Sequence, residues 1–273
     1  MSKVKSIDVK RLIESKQPRL AKWLPKFIIR YLKKILHEDE INSFLEENKT
    51  KYNSDFCEAV VNYLGIDVRI EGIDNIPKYG PAIIAMNHPL GGMDAMALVT
   101  ALKSHRNDLK FIVNDLLMNL DNLKDLFVGI NKHGKNETTT RQKVHDAFES
   151  DEVLCIFPAG LVSRKKNGEI RDLDWKKTFI TYAKKFEQPI IPVYIDGELS
   201  AFFYRLANFR KFLGIKTNIE MLYLADELFN QRGKTIKFSI GKPITPNQLD
   251  KDFSDAQLAQ EIKNTVYNLS LNH

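Results

Sequence analysis

The sequence predicts an α/β fold, a mainly parallel sheet covered by helices on both faces and preceded by an N-terminal helical segment. Three observations predict it. Short, nearly continuous apolar runs rich in Val and Ile recur between residues 68 and 240. Segments of helical spacing separate several of them, and the first 64 residues hold helical patterns and a dense positive charge. Strands that are apolar throughout are those buried on both faces, the habit of parallel sheets with crossover helices.

From Leu20 to Leu36 the apolar residues Leu20, Trp23, Leu24, Phe27, Ile28, Tyr31, Leu32, Ile35 and Leu36 recur at three- and four-residue spacing, one stripe of a helix. Pro25 kinks that helix or marks its first turn. Lys22, Lys26, Arg30, Lys33 and Lys34 fall largely outside the stripe. Two further helical stretches follow at 38–48 and 55–64, which sets a division into an N-terminal segment, 1–64, and an α/β domain, 65–273. Strands are expected at 68–71, 82–86, 110–113, 153–157, 190–195, 220–224 and 236–240. Helices are expected at 94–103, 137–150, 175–185 and 200–212, and a last one at 254–271 closes the domain.

The net charge of +6 is unevenly placed: residues 1–36 hold eleven Lys and Arg against Asp8 and Glu14. A basic amphipathic helix carrying Trp suits an anionic bilayer surface, and it equally suits a helix packed on the core with a solvated basic back. Nucleic acid is not expected, since no recognition motif accompanies the charge. No run approaches the ~20 apolar residues needed to span a bilayer, and residues 1–16 lack an apolar signal core. Cys57 and Cys155 show no metal or disulfide spacing. A protein of the reducing cytosol, peripheral on the inner face of the membrane, is the expectation.

Two stretches carry candidate chemistry. In "AMNHPLGGMDAM" (85–96) a strand ends in His88, a Gly91-Gly92 turn and Asp94. The carboxyl end of a strand is where open α/β sheets bind ligands. Histidine takes a proton near neutral pH, and a carboxylate on its other ring nitrogen fixes the tautomer. The spacing also suits a satisfied histidine and an aspartate that caps the next helix. In "VLCIFPAGLVSRKK" (153–166) another strand runs into a Pro/Gly turn followed by Ser163, Arg164, Lys165 and Lys166, an anion site or a basic surface loop.

Asn87, His88 and Asp94 match N-H-x4-D with one residue inserted, and Phe157, Pro158, Gly160 and Ser163 match F-P-E-G-T-R-S with Ala159 in place of the glutamate. "LFVGINKHGKN" (126–136) lies where a second block would fall, "IIPVYIDG" (190–197) looks like a fourth, and "GKPITP" (241–246) like a closing strand. In this order, over residues 65–245, the chain resembles the glycerolipid (lysophosphatidate-type) acyltransferase superfamily. Within it, the resemblance is to the bacterial hemolysin-named subgroup, some members of which make ornithine or glycine lipids.

The resemblance implies O-acyl transfer from acyl carrier protein or acyl-CoA to the hydroxyl of a lyso-lipid. His88 would be the general base and Asp94 its orienting carboxylate. Asn87, Gly91, Gly92, Pro158, Gly160, Ser163 and Arg164 would line the substrate site, with Lys176 on the following helix. The reaction requires neither cofactor nor metal. Ala159 breaks the phosphate-type block and tilts the acceptor from lysophosphatidate toward a lyso-aminolipid. The rival reading is a non-catalytic peripheral lipid-binding protein of the same fold. A hydrolase lacks its nucleophile: no Gly-x-Ser-x-Gly elbow is present, and Cys155 sits mid-strand.

Overall fold

The computed structural model describes residues 7–16, 18, 23–114, 120–130 and 137–272. Leu20 of the apolar stripe, Lys22 of its basic flank and residues 131–136 of the second block lie outside them. The chain divides into two compact units, Met1–Lys51 with Leu199–Arg232, and Tyr52–Glu198 with Gly233–His273.

The larger unit is built on a seven-stranded sheet. Its elements in order are α4 (Asn53–Tyr63), β1 (Asp67–Glu71), β2 (Ala82–Met86), α5 (Gly92–Leu102), β3 (Leu109–Asn114), β4 (Phe127–Ile130) and α6 (Glu137–Glu149). There follow β5 (Val153–Ile156), β6 (Arg164–Lys166), β7 (Glu169–Arg171), α7 (Thr178–Phe186), β8 (Ile190–Asp196), β9 (Thr235–Ile240) and α10 (Asp255–Asn268). The strand order is β1-β9-β8-β2-β5-β3-β4. Every pairing is parallel except β8 with β9. The mainly parallel sheet read from the sequence is therefore observed, with β9 and β1 running against the other five strands.

The central strands are apolar because both their faces are covered. Ile83 and Ala85 of β2, Leu154 of β5 and Ile190 of β8 pack with Phe148 of α6, Phe179 and Ile180 of α7, and Ile262 and Val266 of α10. Side chains alternate faces along a strand, yet Ile84 and Met86 are also fully buried. On the helical side, α5 buries Met93, Ala97, Leu98 and Leu102 and packs against α4. A Ser254 capping box starts α10, where the hydroxyl and the Gln257 side chain satisfy each other's backbone N–H groups.

Three elements differ from the sequence reading. β4 was not expected. Residues 164–171 form a hairpin rather than an open basic loop: Asn167 and Gly168 both sit at positive φ (52° and 87°), as a type I′ turn requires. Residues 220–224 are not a strand. Ile219–Tyr223 is a 3-10 turn leading into a helix, with Glu220 buried against Arg210. Over five residues, helical and strand spacing of apolar side chains are hard to tell apart.

The smaller unit holds α1 (Val9–Lys16), α2 (Lys26–Ile35), α3 (Glu38–Glu47), α8 (Ala201–Phe212) and α9 (Leu224–Phe229). Pro25 stands at the N-cap of α2, so it starts that helix without kinking it. Polar contacts tie the early and late segments together. His37 Nε2 meets Asp226 at 2.9 Å while its ring stacks on Phe229, and Arg232 reaches Glu40 at 2.8 Å. Glu38, itself buried, accepts from the backbone N–H of Val9 and from Lys33.

Candidate active site

The site lies at the carboxyl ends of β2 and β5. At the end of β2 the Asn87 side chain extends the ladder onto β8. Its Nδ2 donates to the Ile195 carbonyl (2.9 Å), and its Oδ1 accepts from the Ile195 N–H (2.7 Å). Both ends of the amide thereby hold the strand end where His88 leaves it.

After Pro89 and Leu90 the chain turns at Gly91, the N-cap of α5, at φ 69°, a conformation that glycine adopts without steric cost. The turn brings Asp94, in the first turn of α5, back over the strand end. His88 Nδ1 lies 2.9 Å from Asp94 Oδ2, which also accepts the Leu90 N–H at 3.0 Å. The carboxylate spends itself on His88 and Leu90 and makes no capping bond to the helix. The one-residue longer spacing is thus absorbed by the glycine turn, and His88 and Asp94 meet.

This geometry has a chemical consequence. Asp94 is fully buried, and burial pushes its carboxyl above the ordinary carboxylate range, while the hydrogen bond and charge of His88 pull it back. A proton on Nδ1 lets His88 donate to Asp94 and leaves the Nε2 lone pair available. The ring is 18% exposed, so Nε2 can be reached. Phe157, the first residue beyond β5, stacks on the imidazole at 3.9 Å between centroids. Asp94 Oδ1 is buried without a hydrogen-bond partner.

The second candidate stretch packs directly on the first. Ser163 N–H donates to the His88 carbonyl at 2.8 Å, and the Ser163 hydroxyl, buried, donates to Asp172 Oδ1 at 2.6 Å. Gly160 sits at φ 68°, and a β-carbon there would lie 3.3 Å from the Lys176 ammonium. The Lys176 N–H donates to the Pro158 carbonyl, so the exposed Lys176 side chain is placed beside the turn. Gly92 opens on free space. Arg164 turns inward, its Nη1 on the Val162 carbonyl (2.6 Å) and the Ser163 carbonyl (3.4 Å), so part of its guanidinium holds the turn itself.

Sequence reasoning missed Asp172. Nearly buried, it accepts from the His88 N–H (3.2 Å), the Ser163 hydroxyl and the Trp175 indole N–H (2.9 Å), while its own N–H donates to the Tyr267 hydroxyl (2.7 Å). Lys263 donates to its carbonyl at 2.9 Å. No motif marks it, because its partners are spread over β2, the turn after β5 and α10. Cys155 is buried within β5, where desolvation pushes its thiol well up, so it offers no thiolate.

Residues 11–271 match the sequence pattern of a family described as acyltransferase. The chain is 48% identical over 264 residues to the lyso-glycine lipid O-acyltransferase of Bacteroides thetaiotaomicron, spanning 96% of this chain and 97% of that protein. It is 45% identical to the lyso-glycine lipid O-acyltransferase of Phocaeicola vulgatus, over 96% and 95% of the two chains. The crystal structure of the 1-acyl-sn-glycerophosphate (LPA) acyltransferase from Thermotoga maritima matches with a TM-score of 0.50 at 18% identity, covering 95% of this chain and 86% of that one, a likeness of fold.

Proposed function

The chain belongs to the acyltransferase family, and from that premise we propose that it moves a fatty acyl group from a thioester onto the hydroxyl of a lyso-aminolipid of the glycine-lipid type. The observation that carries the reading is the imidazole fixed by a buried aspartate with its outer nitrogen open. In the proposed step His88 Nε2 takes the proton of the acceptor hydroxyl while that oxygen attacks the thioester carbonyl. The negative Asp94 stabilises the imidazolium that results. The tetrahedral intermediate then collapses, the C–S bond breaks, and the thiol of acyl carrier protein or coenzyme A leaves with the proton from His88. The ester forms and no group on the protein is acylated.

Two features support the aminolipid acceptor over lysophosphatidate. Ala159 stands where the phosphate-type block has glutamate. Two relatives, 48% and 45% identical over 96% of this chain, are named for lyso-glycine lipid. Lys176, exposed beside Gly160, would supply a cation to a lipid carboxylate. A purified lipid-binding protein without catalysis would have no need of a base opposite a buried aspartate.

The enzyme works at a membrane surface in this reading. No helix among the described residues is long and apolar enough to cross a membrane. Within α2 Ile35 is buried, whereas Phe27 and, just before the helix, Trp23 are 70% and 86% exposed beside Lys26 and Arg30. A core helix hides such rings; a helix at the headgroup level uses them.

The test is direct. The purified chain is incubated with lyso-glycine lipid or lysophosphatidate and with an acyl thioester of carrier protein or coenzyme A. Mass spectrometry should show the acceptor gaining one acyl group, with lyso-glycine lipid preferred. Turnover of lysophosphatidate alone would overturn the acceptor, and no acyl gain on either would overturn the reaction.

A further inference from the structure

The end of α8 exposes apolar side chains of a kind that a water-soluble surface scatters singly. Phe203, Tyr204, Ala207 and Arg210 form the buried face of this helix. Its outward face, at helical spacing, presents Phe202, Arg205, Phe209 and Phe212, and Leu213 and Ile215 continue the exposed group. Phe212 is 85% exposed. A helix apolar on both faces needs a second apolar medium besides its own core.

The tip is built, not frayed. Ile215 N–H donates to the Arg210 carbonyl (3.1 Å) and Gly214 N–H to the Lys211 carbonyl (3.0 Å), with Gly214 at φ 68°, a Schellman close. Buried Arg210 seals it from inside. Its Nε meets Glu220 at 2.8 Å, and its Nη1 donates to the Ile215 carbonyl at 2.6 Å. Phe212, Leu213 and Ile215 are therefore held outward by a locked turn.

The charge around the tip selects the medium. Leu199–Asn218 contains Arg205, Arg210, Lys211 and Lys216 and no acidic residue. With Arg210 spent on Glu220, Arg205, Lys211 and Lys216 are exposed around the apolar tip. An exposed apolar tip interleaved with cations fits a fluid apolar layer under anionic headgroups. It is continuous with α2, since the Tyr31 hydroxyl meets the Tyr223 hydroxyl at 2.7 Å and the Tyr223 ring meets Phe202 edge-on at 4.9 Å.

We propose that residues 209–216 are a second membrane anchor, separate in sequence from α2, whose Phe212 and Leu213 enter the acyl layer of an anionic bilayer while Lys211 and Lys216 stay among the headgroups. The proposed reaction is not needed for this, and vesicles free of acceptor test it, so failure here and failure of the acceptor assay are distinguishable.

The experiment uses the full chain and vesicles of phosphatidylcholine with one part in three phosphatidylglycerol. The double variant Phe212→Ser, Leu213→Ser changes only exposed side chains, so its melting temperature should match the parent. Its partitioning onto vesicles should fall at least about tenfold, while acyl transfer to detergent-dispersed acceptor persists. Depth is read separately. Phe212→Trp in a Trp23→Phe background should add emission that shifts to the blue on vesicles and is quenched by lipids brominated on the acyl chain. Unaltered vesicle binding by the double variant, or unshifted and unquenched emission at 212, overturns the proposal. So does a lipid-free dimer of the parent that the double variant converts to monomer, which would make the tip a contact between copies.

Discussion

The backbone N–H of His88 donates to Oδ1 of Asp172, 84 residues further along the chain, at 3.2 Å. The same oxygen takes the Ser163 hydroxyl, so one buried carboxylate fixes both the strand end that carries the base and the turn that packs on it. It also adds negative charge near the imidazole. Asp172→Asn keeps the shape, removes the charge and leaves one donor facing an amide. It should destabilise the fold by roughly 1–3 kcal/mol. It should also lower kcat, because the strand end that carries His88 and the turn that packs on it lose a shared anchor. Melting temperature and kcat measured on the same variant check it, and parental values of both would show that Asp172 holds neither the fold nor the site.

His88→Ala should cut acyl transfer by about 10²–10⁴-fold, and Asp94→Asn by a factor in the same range, since the amide keeps the hydrogen-bonding outline and loses the charge. Circular dichroism should show both variants folded. Near-normal turnover of His88→Ala would remove the mechanism.

Lys176 and Arg164 should separate kinetically. Lys176→Ala is expected to raise the acceptor KM about fivefold, the worth of an exposed ion pair near 1 kcal/mol, with little effect on the thioester KM. Arg164 Nη1 holds the carbonyls of Val162 and Ser163. Arg164→Ala should therefore disturb the turn and change kcat along with both KM values.

On α2, Lys33 is engaged with buried Glu38, so charge reversal there would break an internal pair. Lys26, Arg30 and Lys34 are exposed. Changing these three to Glu should weaken binding to anionic vesicles by several kcal/mol, at ~1 kcal/mol for each charge near the surface. Sedimentation at low and high salt checks it. Undiminished binding would confine the membrane contact to other residues.

Arg106, nearly buried, grips Asp108 through Nε and Nη2 and holds the Pro77 and Gly80 carbonyls, and the guanidinium keeps the Asp108 carboxyl below its usual range. A lowered folded-state value means stabilisation that is complete above the unfolded value and lost as pH falls toward the folded one. Asp108→Asn should thus be less stable than the parent by about 1–3 kcal/mol at pH 7. The gap should close as pH falls below the ordinary aspartate range, near ~3.9. Urea midpoints at pH 7 and at pH 3 measure it, and an unchanged gap would contradict the assignment.

Local signals made much of the fold legible. Ala82–Met86 and Val153–Ile156 read as buried strands because every side chain is apolar, and His88 with Asp94 could be paired because a Gly-Gly turn stood between them. Asp172 carried no such signal. Its role is set by Ser163, Trp175, Tyr267 and His88, brought together only by the folded sheet and α10. The Asn167-Gly168 turn was written in the sequence but masked by the surrounding lysines and arginine. Ile219–Tyr223 was too short for its period to decide.

The smaller unit is made of the chain's first residues and of a segment more than 140 residues later, Leu199–Arg232. A ribosome therefore releases His37 and Glu40 long before Asp226, Phe229 and Arg232, the residues they grip. During synthesis the N-terminal helices must wait for those partners while most of the sheet is made. Truncation meets the same constraint: cutting the first 51 residues away would strip Asp226 and Arg232 of their partners, so neither unit can be excised as one continuous piece.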